Sequence, residues 1–231
     1  MVDFSGENID RNFQDVIELL NKYKISYWVC HGSLLGLARS GKLIPWDHDI
    51  DLAVWQHEYY QYDFISIFSE IGFEFHPDHP EGSLKFTRSG GRSIDINFYK
   101  ESRSNRDGMI PLVCVQHRIP SSKATSFLVS ITQKNKYTGR YELLYRLIRP
   151  FKFFLSPVYT LLNRFNLIYV TKGYSTPGSL LIDFVEVSFS GVLCRIPKEF
   201  EQINNFIYGA NWRIPNKKYN WLKDSSSVTR E

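Results

Sequence analysis

Val29-Cys30-His31-Gly32-Ser33-Leu34-Leu35-Gly36-Leu37-Ala38-Arg39, followed after a short gap by Pro45-Trp46-Asp47-His48-Asp49-Ile50-Asp51-Leu52-Ala53-Val54, decides how this chain folds. The apolar run from Tyr27 to Cys30 predicts a short buried strand. Gly32-Ser33 predicts a tight turn, and Leu34 to Arg39 follows with helical spacing toward a stop near Gly41. A strand that ends in Gly-Ser at a helix start offers backbone N–H groups to an anion, so Gly32 and Ser33 are expected at a phosphate. Beyond Pro45, acids and apolar residues alternate. The two-residue period of a strand puts Asp47, Asp49 and Asp51 on one face and Ile50, Leu52 and Val54 on the other, with His48 on the Ile50 side. Carboxylates two residues apart on a strand stand roughly 6.5–7 Å apart, which lets a pair of them clasp one hard divalent cation. A lone Asp-x-Asp is commonly a solvated surface feature. Three acids on one face of an otherwise buried strand are different, because they repel one another unless a cation or a proton compensates. Asp49 and Asp51 are therefore the expected ligands of Mg²⁺ (or Mn²⁺). Arg39, whose planar fork suits phosphate, is the expected anion clamp.

Working outward, Ile9, Phe13, Val16, Ile17, Leu20 and Tyr23 recur at helical spacing and predict an amphipathic helix over roughly 8–24 that backs the sheet. Tyr59, Tyr62, Ile65, Phe68 and Ile71 predict a second helix over 58–71, ended by Gly72. Phe73-Glu74-Phe75 reads as a strand, and 76–82 as a loop. His76, Asp78 and His79 could suggest a metal there, but the prolines spoil regular ligand geometry and a solvated loop is preferred. Residues 83–88 and 92–99 read as a hairpin about Ser89-Gly90-Gly91. In its second strand Ile94, Ile96 and Phe98 face one way, Asp95 and Asn97 the other. From the residues alone, Asp95 is equally well an acid of the site or a cross-strand partner of Lys85 or Arg88. Met109 to Val115 reads as a strand, as do 184–189 and 192–197, and a short helix carries Phe200, Ile203, Phe206 and Ile207. From Lys223 onward the chain is polar and expected to fray.

The composition sets bounds. A chain of 231 residues with 43% hydrophobic and 16% aromatic content is expected to form one domain with a sizeable core. A net charge of +4 is too mild for a dedicated nucleic-acid protein. Cys30, Cys114 and Cys194 are far apart and odd in number, so neither a disulfide framework nor a zinc site is inferred, and a reducing cytoplasmic setting is expected. The start, Met1 to Glu7, is polar and reads as neither signal peptide nor anchor. Tyr141 to Tyr169 is aromatic and basic, interrupted by Arg146, Arg149, Lys152 and Arg164 and broken by Pro150 and Pro157. It contains no run of the ~20 apolar residues a membrane span needs. Packed helices are preferred for it, with peripheral contact at the inner face of a membrane as the alternative.

The stretches 31–39 and 45–51 resemble the signature of the LicD family, which includes bacterial phosphocholine transferases and is related to fukutin and fukutin-related protein. The family pattern is a Gly-Thr-Leu-Leu-Gly turn and helix, an Arg, then Pro-Trp and an Asp-rich strand. Ser33 stands here for the usual Thr and keeps its hydroxyl. His48 stands for an Asp common in bacterial members. The tail resembles the family too, with a Phe-x-Gly hairpin, a Pro, a helix, Tyr208-Gly209 and Trp212 to Pro215; roughly 101–180 is unmatched. The resemblance implies an α+β, polymerase-β-like nucleotidyltransferase fold, a mixed sheet flanked by helices. It implies one domain over 1–222 with a helical insertion at about 126–170 and a polar tail over 223–231. It carries to Asp95 the role of a third carboxylate, as metal ligand or as the base for the acceptor hydroxyl. Gly32, Ser33, Arg39, Asp47 and Lys85 fall on the substrate side. The implied activity is transfer of a phosphorylated alcohol, phosphocholine or a polyol phosphate, from a nucleotide-activated, CDP-linked donor to a hydroxyl of a cell-surface or lipid-linked glycan. Two rivals stand beside it: a nucleotidyltransferase moving NMP to a small molecule, and a non-catalytic glycan-assembly scaffold.

Overall fold

Two strands in parallel register form the middle of the molecule, and the remaining elements are arranged to leave one end of that pair open. The computed structural model describes residues 3–4, 10–76, 83–102, 112–117, 142–151, 157 and 172–229. In chain order its elements are β1 (Asp3–Phe4), α1 (Arg11–Lys22), β2 (Tyr27–Val29), α2 (His31–Ser40), β3 (Asp49–Trp55), α3 (Gln56–Gln61), α4 (Phe64–Ser69), β4 (Glu74–His76), β5 (Ser83–Thr87), β6 (Ser93–Ser102), β7 (Leu112–His117), α5 (Glu142–Ile148), β8 (Lys172–Pro177), β9 (Phe184–Phe189), β10 (Val192–Pro197), α6 (Phe200–Tyr208), α7 (Trp221–Asp224) and β11 (Val228–Thr229). The class is α+β, a mixed sheet with flanking helices.

The large sheet runs β11-β8-β7-β6-β3-β2, with β5 pairing the 94–97 stretch of β6, which β7 does not reach, and β4 pairing β5. Within it β3 and β6 are parallel, with Asp51 beside Asp95, while β5 meets β6 antiparallel with Lys85 beside Asp95. A three-stranded sheet, β1-β9-β10, packs alongside. The alternation read in β3 is realised as burial: Ile50, Leu52 and Val54 are fully buried, and the acids between them are not. Phe13, Val16, Ile17 and Leu20 of α1 join that core with Ile94 and Ile96. Phe68 stacks on Phe86 with ring centroids 4.1 Å apart. Each such side chain contributes about 1.5–3 kcal/mol on burial.

Helix α1 starts at Arg11 rather than residue 8 because Asp10 caps it, accepting from the N–H groups of Asn12 and Phe13 at 3.0 and 3.3 Å. The helix expected over 58–71 is in fact two. Tyr62 is extended, and Asp63 caps α4 by accepting from the Ser66 N–H at 3.2 Å, so the chain breaks between α3 and α4. The tail expected to fray from Lys223 instead forms α7 and then β11, which pairs antiparallel with β8; Ser227 is fully buried, and its carbonyl accepts from the Ser175 N–H at 2.8 Å. Of the insertion expected over 126–170, α5, a 3-10 turn at Arg149–Phe151 and residue 157 are described, and the rest lies outside the described residues. The same holds for Asp78 and His79 of the loop after β4. Among the described residues no helix is long and apolar enough to cross a membrane.

Candidate active site

Where β2 runs into α2, the backbone turns through His31, a non-glycine residue at φ +45°. That left-handed conformation costs about 1–3 kcal/mol. It is held by the buried ring of His31, whose Nε2 lies 3.1 Å from the Tyr99 hydroxyl and whose face lies against Tyr174 at 4.3 Å between centroids. The turn delivers α2 directly against the start of β3. Three contacts stitch them together: the Cys30 N–H donates to the Asp51 carbonyl at 3.1 Å, the Asp51 N–H donates to Ser33 Oγ at 2.9 Å, and the Gly32 N–H donates to Asp51 Oδ2 at 3.0 Å.

These bonds correct the expectation for Gly32 and Ser33. Both lie within the first turn of α2, which begins at His31, and not in a separate turn. The Gly32 N–H is given to a carboxylate of the same chain and is not held out to an anion. Ser33 is buried and faces β3 rather than the cavity. Glycine at 32 has a steric reason: a Cβ there would overlap the Asp47 carboxylate and come 3.2 Å from Asp51 Oδ2.

Asp47 sits ahead of β3 in the loop that follows α2. Arg92, unremarked in the sequence, holds that loop. Its Nε donates to the Asp47 carbonyl at 3.0 Å and its Nη2 to the Ile44 carbonyl at 3.1 Å, while its Nη1 reaches Asp10 at 3.4 Å. Asp47, Asp49, Asp51 and Asp95 all open on one cavity of about 770 Å³, together with His31, Gly32 and Asn97. His48 is off this cavity, but it lies ahead of β3 and is exposed instead of joining Ile50 on the buried face; its carbonyl accepts from the Ser93 N–H at 3.3 Å. Arg39 and Trp46 form the near side. The far wall is Tyr174 from β8 and Tyr208, Trp212, Lys217, Tyr219 and Trp221 from the chain around and after α6.

Four acids in one partly dry space perturb one another. Burial, then the charges on Asp49, Asp95 and Asp47, push the Asp51 carboxyl well above the usual carboxylate range, against the Gly32 N–H. Asp47 is pushed up to about 7 by burial, by a hydrogen bond with the Asp49 side chain and by that acid's charge, with Arg92 opposing. Burial raises Asp95 to about 6, although Lys85, with Nζ 3.0 Å from Asp95 Oδ1, pulls the other way. Asp95 thus pairs with Lys85 across the strands and also lines the cavity of acids.

The donors are hard carboxylate oxygens, the set that suits Mg²⁺ or Mn²⁺. Among the described residues no group of three or more His, Cys, Asp or Glu side chains is placed to hold a metal ion, so Asp49, Asp51 and Asp95 are not gathered as a three-carboxylate ligand set. Mg²⁺ does not need one, since it is commonly held by one or two carboxylates with substrate phosphates and waters completing the shell. Asp49 and Asp51 fit that pattern. The sequence reading missed the far wall. Its only signal was the aromatic density between Tyr208 and Trp221, which carries no indication of the cavity it will face. Asn97 was visible as the next residue on the Asp95 face.

Comparison with known proteins bears on the same residues. Residues 24–118 match the family described as LicD/FKTN/FKRP, nucleotidyltransferase domain, which bears out the resemblance read in the sequence over that span. The ribitol 5-phosphate transferase FKRP of mouse and that of human are each 48% identical over 40 residues, 17% of this chain and 8% of theirs. An uncharacterized protein of Rickettsia typhi is 31% identical over 90 residues, 38% of this chain and 28% of its own. The chain thus spans less than a third of the length of these relatives. Among solved structures, the lincosamide antibiotic adenylyltransferase LnuA with lincomycin bound is 13% identical with a TM-score of 0.42, over 85% of each chain.

Proposed function

We propose that this protein, whose residues 24–118 match the LicD/FKTN/FKRP nucleotidyltransferase domain, transfers a phosphorylated alcohol from a nucleotide-activated donor to a hydroxyl group of a glycan. The observation that carries the reading is one cavity with four carboxylates on its floor and Arg39 and Lys217 beside them. A nucleoside-diphosphate-linked alcohol needs both signs of charge, a cation-binding floor for one part of its diphosphate and fixed positive groups for the rest. The name of the FKRP relatives supports a polyol phosphate as the group moved; CDP is the favoured carrier.

Asp49 and Asp51 would hold Mg²⁺ or Mn²⁺, which when bound neutralises charge developing on the phosphate oxygens. The remaining steps belong to this chain's residues. Arg39 orients the diphosphate. Asp95, raised to about 6 and anchored by Lys85, is placed to take the proton of the acceptor hydroxyl. The acceptor oxygen forms its bond to the phosphorus that carries the alcohol. The bond from that phosphorus to the bridging oxygen breaks, and the nucleoside monophosphate leaves with the bonding electrons.

The test is a donor labelled separately in the alcohol and in the nucleoside, incubated with a glycan acceptor and Mg²⁺. Alcohol label in the glycan with release of nucleoside monophosphate is the expected result. Nucleoside label in the acceptor would replace this reading with nucleotidyl transfer. An absence of nucleotide and metal binding would replace it with the scaffold reading.

A further inference from the structure

Three basic side chains around the acid strands are already paired with acids. Lys85 is paired with Asp95 at 3.0 Å, Arg88 with Asp15 and Arg92 with Asp10. Arg39 and Lys217 differ. Both line the cavity of acids, and among the described residues neither makes an ion pair. Instead both sit over the ring of Trp46, the Arg39 guanidinium carbon 5.8 Å and the Lys217 ammonium 5.0 Å from its centroid. A ring face attracts a cation but leaves its hydrogen-bond donors unspent.

Lys217 comes from a part of the chain almost a hundred residues beyond the LicD match, yet it is held in place. The Ile214 N–H donates to the Asn211 carbonyl at 2.8 Å, the Lys218 N–H to Asn216 Oδ1 at 2.9 Å and the Tyr219 hydroxyl to the Ile207 carbonyl at 3.2 Å. Trp46 is fixed from the other side by Arg92, which grips the carbonyls that flank it. Two donor-rich cations are therefore presented on one aromatic post in the cavity of acids, and among the described residues neither is within ion-pair distance of a carboxylate.

We propose that Arg39 and Lys217, positioned by Trp46, form a two-pronged clamp for the diphosphate of a nucleotide-linked substrate, so that the C-terminal segment completes the binding site begun by residues 24–118. The inference rests on the proposed function and adds to it a specific anion subsite and the residue of the far wall that makes it. Arg39 supplies a planar fork and Lys217 a mobile point charge, a pairing that grips one phosphate group from two directions. Trp46 is a positioning residue and touches the ligand only through them.

The experiment is calorimetric titration of the whole 231-residue chain with CDP, GDP and UDP in excess Mg²⁺, for the wild type, Lys217→Gln, Arg39→Gln and Lys223→Gln. Lys217 is exposed, so its replacement leaves folding intact, and a thermal melt confirms this. Loss of one charge-assisted contact to phosphate is expected to weaken diphosphate binding on the order of tenfold to a hundredfold for Lys217→Gln and for Arg39→Gln. Lys223→Gln, off the cavity, is expected to match the wild type. Wild-type binding of a diphosphate with undiminished affinity in Lys217→Gln would overturn the clamp and leave the proposed function standing. Failure of the wild type to bind any of the three would overturn the proposed function and the clamp together.

Discussion

Replacing Gly32 by Ala sets two effects of opposite sign against each other at the centre of the site. In a helix interior the substitution is favourable by about 1 kcal/mol, because Ala costs less backbone entropy than Gly. Here the added methyl overlaps the Asp47 carboxylate and comes 3.2 Å from Asp51 Oδ2. Overpacking of this kind costs roughly 1–3 kcal/mol, so the net expectation is a loss of about 0–2 kcal/mol. For a chain of this size that lowers Tm by no more than about 8 °C. Activity is affected more. The Asp47 carboxylate has to retreat by on the order of 1 Å, and a misplacement of that size in a reacting constellation costs about a hundredfold in rate. The assay is a thermal melt and a donor-hydrolysis rate for Gly32→Ala, Asp47→Ala and the double variant. If the clash is the cause, the double variant recovers the stability that Gly32→Ala loses, so the two changes are strongly non-additive. A Gly32→Ala protein with full activity, or strict additivity in the cycle, would refute the reasoning.

Further outcomes follow from the same geometry. Asp51→Asn keeps an acceptor for the Gly32 N–H while removing a buried charge that three neighbouring acids oppose, so it should melt higher than the wild type without metal and yet lose transfer; near-normal turnover would end the role assigned to Asp51. The raised carboxyls of Asp47 and Asp95, at about 7 and about 6, keep protons in the folded state that the unfolded chain has released, so metal-free stability should fall as pH rises from about 4 to about 7. The stabilisation gained by Asp47→Asn over wild type should grow across that window, and an advantage that shrinks with rising pH would contradict the burial of these acids. His31→Gly relieves the φ +45° backbone and deletes the ring against Tyr174. The two effects should leave Tm within a few degrees of wild type while activity falls at least tenfold, and unchanged activity would show that the ring serves the fold alone.

What was legible in the sequence is what strand and helix periods encode. The alternation through Asp49-Ile50-Asp51-Leu52 announces a buried face and an acid face, and the structure honours both because burying Ile50 and Leu52 forces the acids outward. The hairpin about Gly90 is equally local. What was not legible depends on which strand lies beside which. Asp95 could be weighed against Lys85 or Arg88 but not assigned, since only the antiparallel register of β5 on β6 puts Lys85 next to it and sends Arg88 to Asp15. Gly32-Ser33 looked like a phosphate turn because nothing in those residues says that the Asp51 backbone and carboxylate will consume their polar groups. Asp63 broke a helix whose apolar spacing ran straight through it, a case of a side chain outbidding the backbone. The tail after Lys223 looked polar enough to fray, yet its backbone found a ladder on β8.

The wall that closes the cavity has a consequence for synthesis. The carboxylates are all in the chain by residue 95, whereas Lys217, Tyr219 and Trp221 follow some 120 residues later. At the ~5–20 residues per second of ribosomal elongation that gap lasts on the order of ten seconds. Through that interval the nascent chain carries the four carboxylates and Arg39 without Lys217 or the wall residues around it. A diphosphate that met such a half-built site would find only one prong of the proposed clamp, Arg39. On the proposed reading, the full hold on the diphosphate comes only when the far wall arrives.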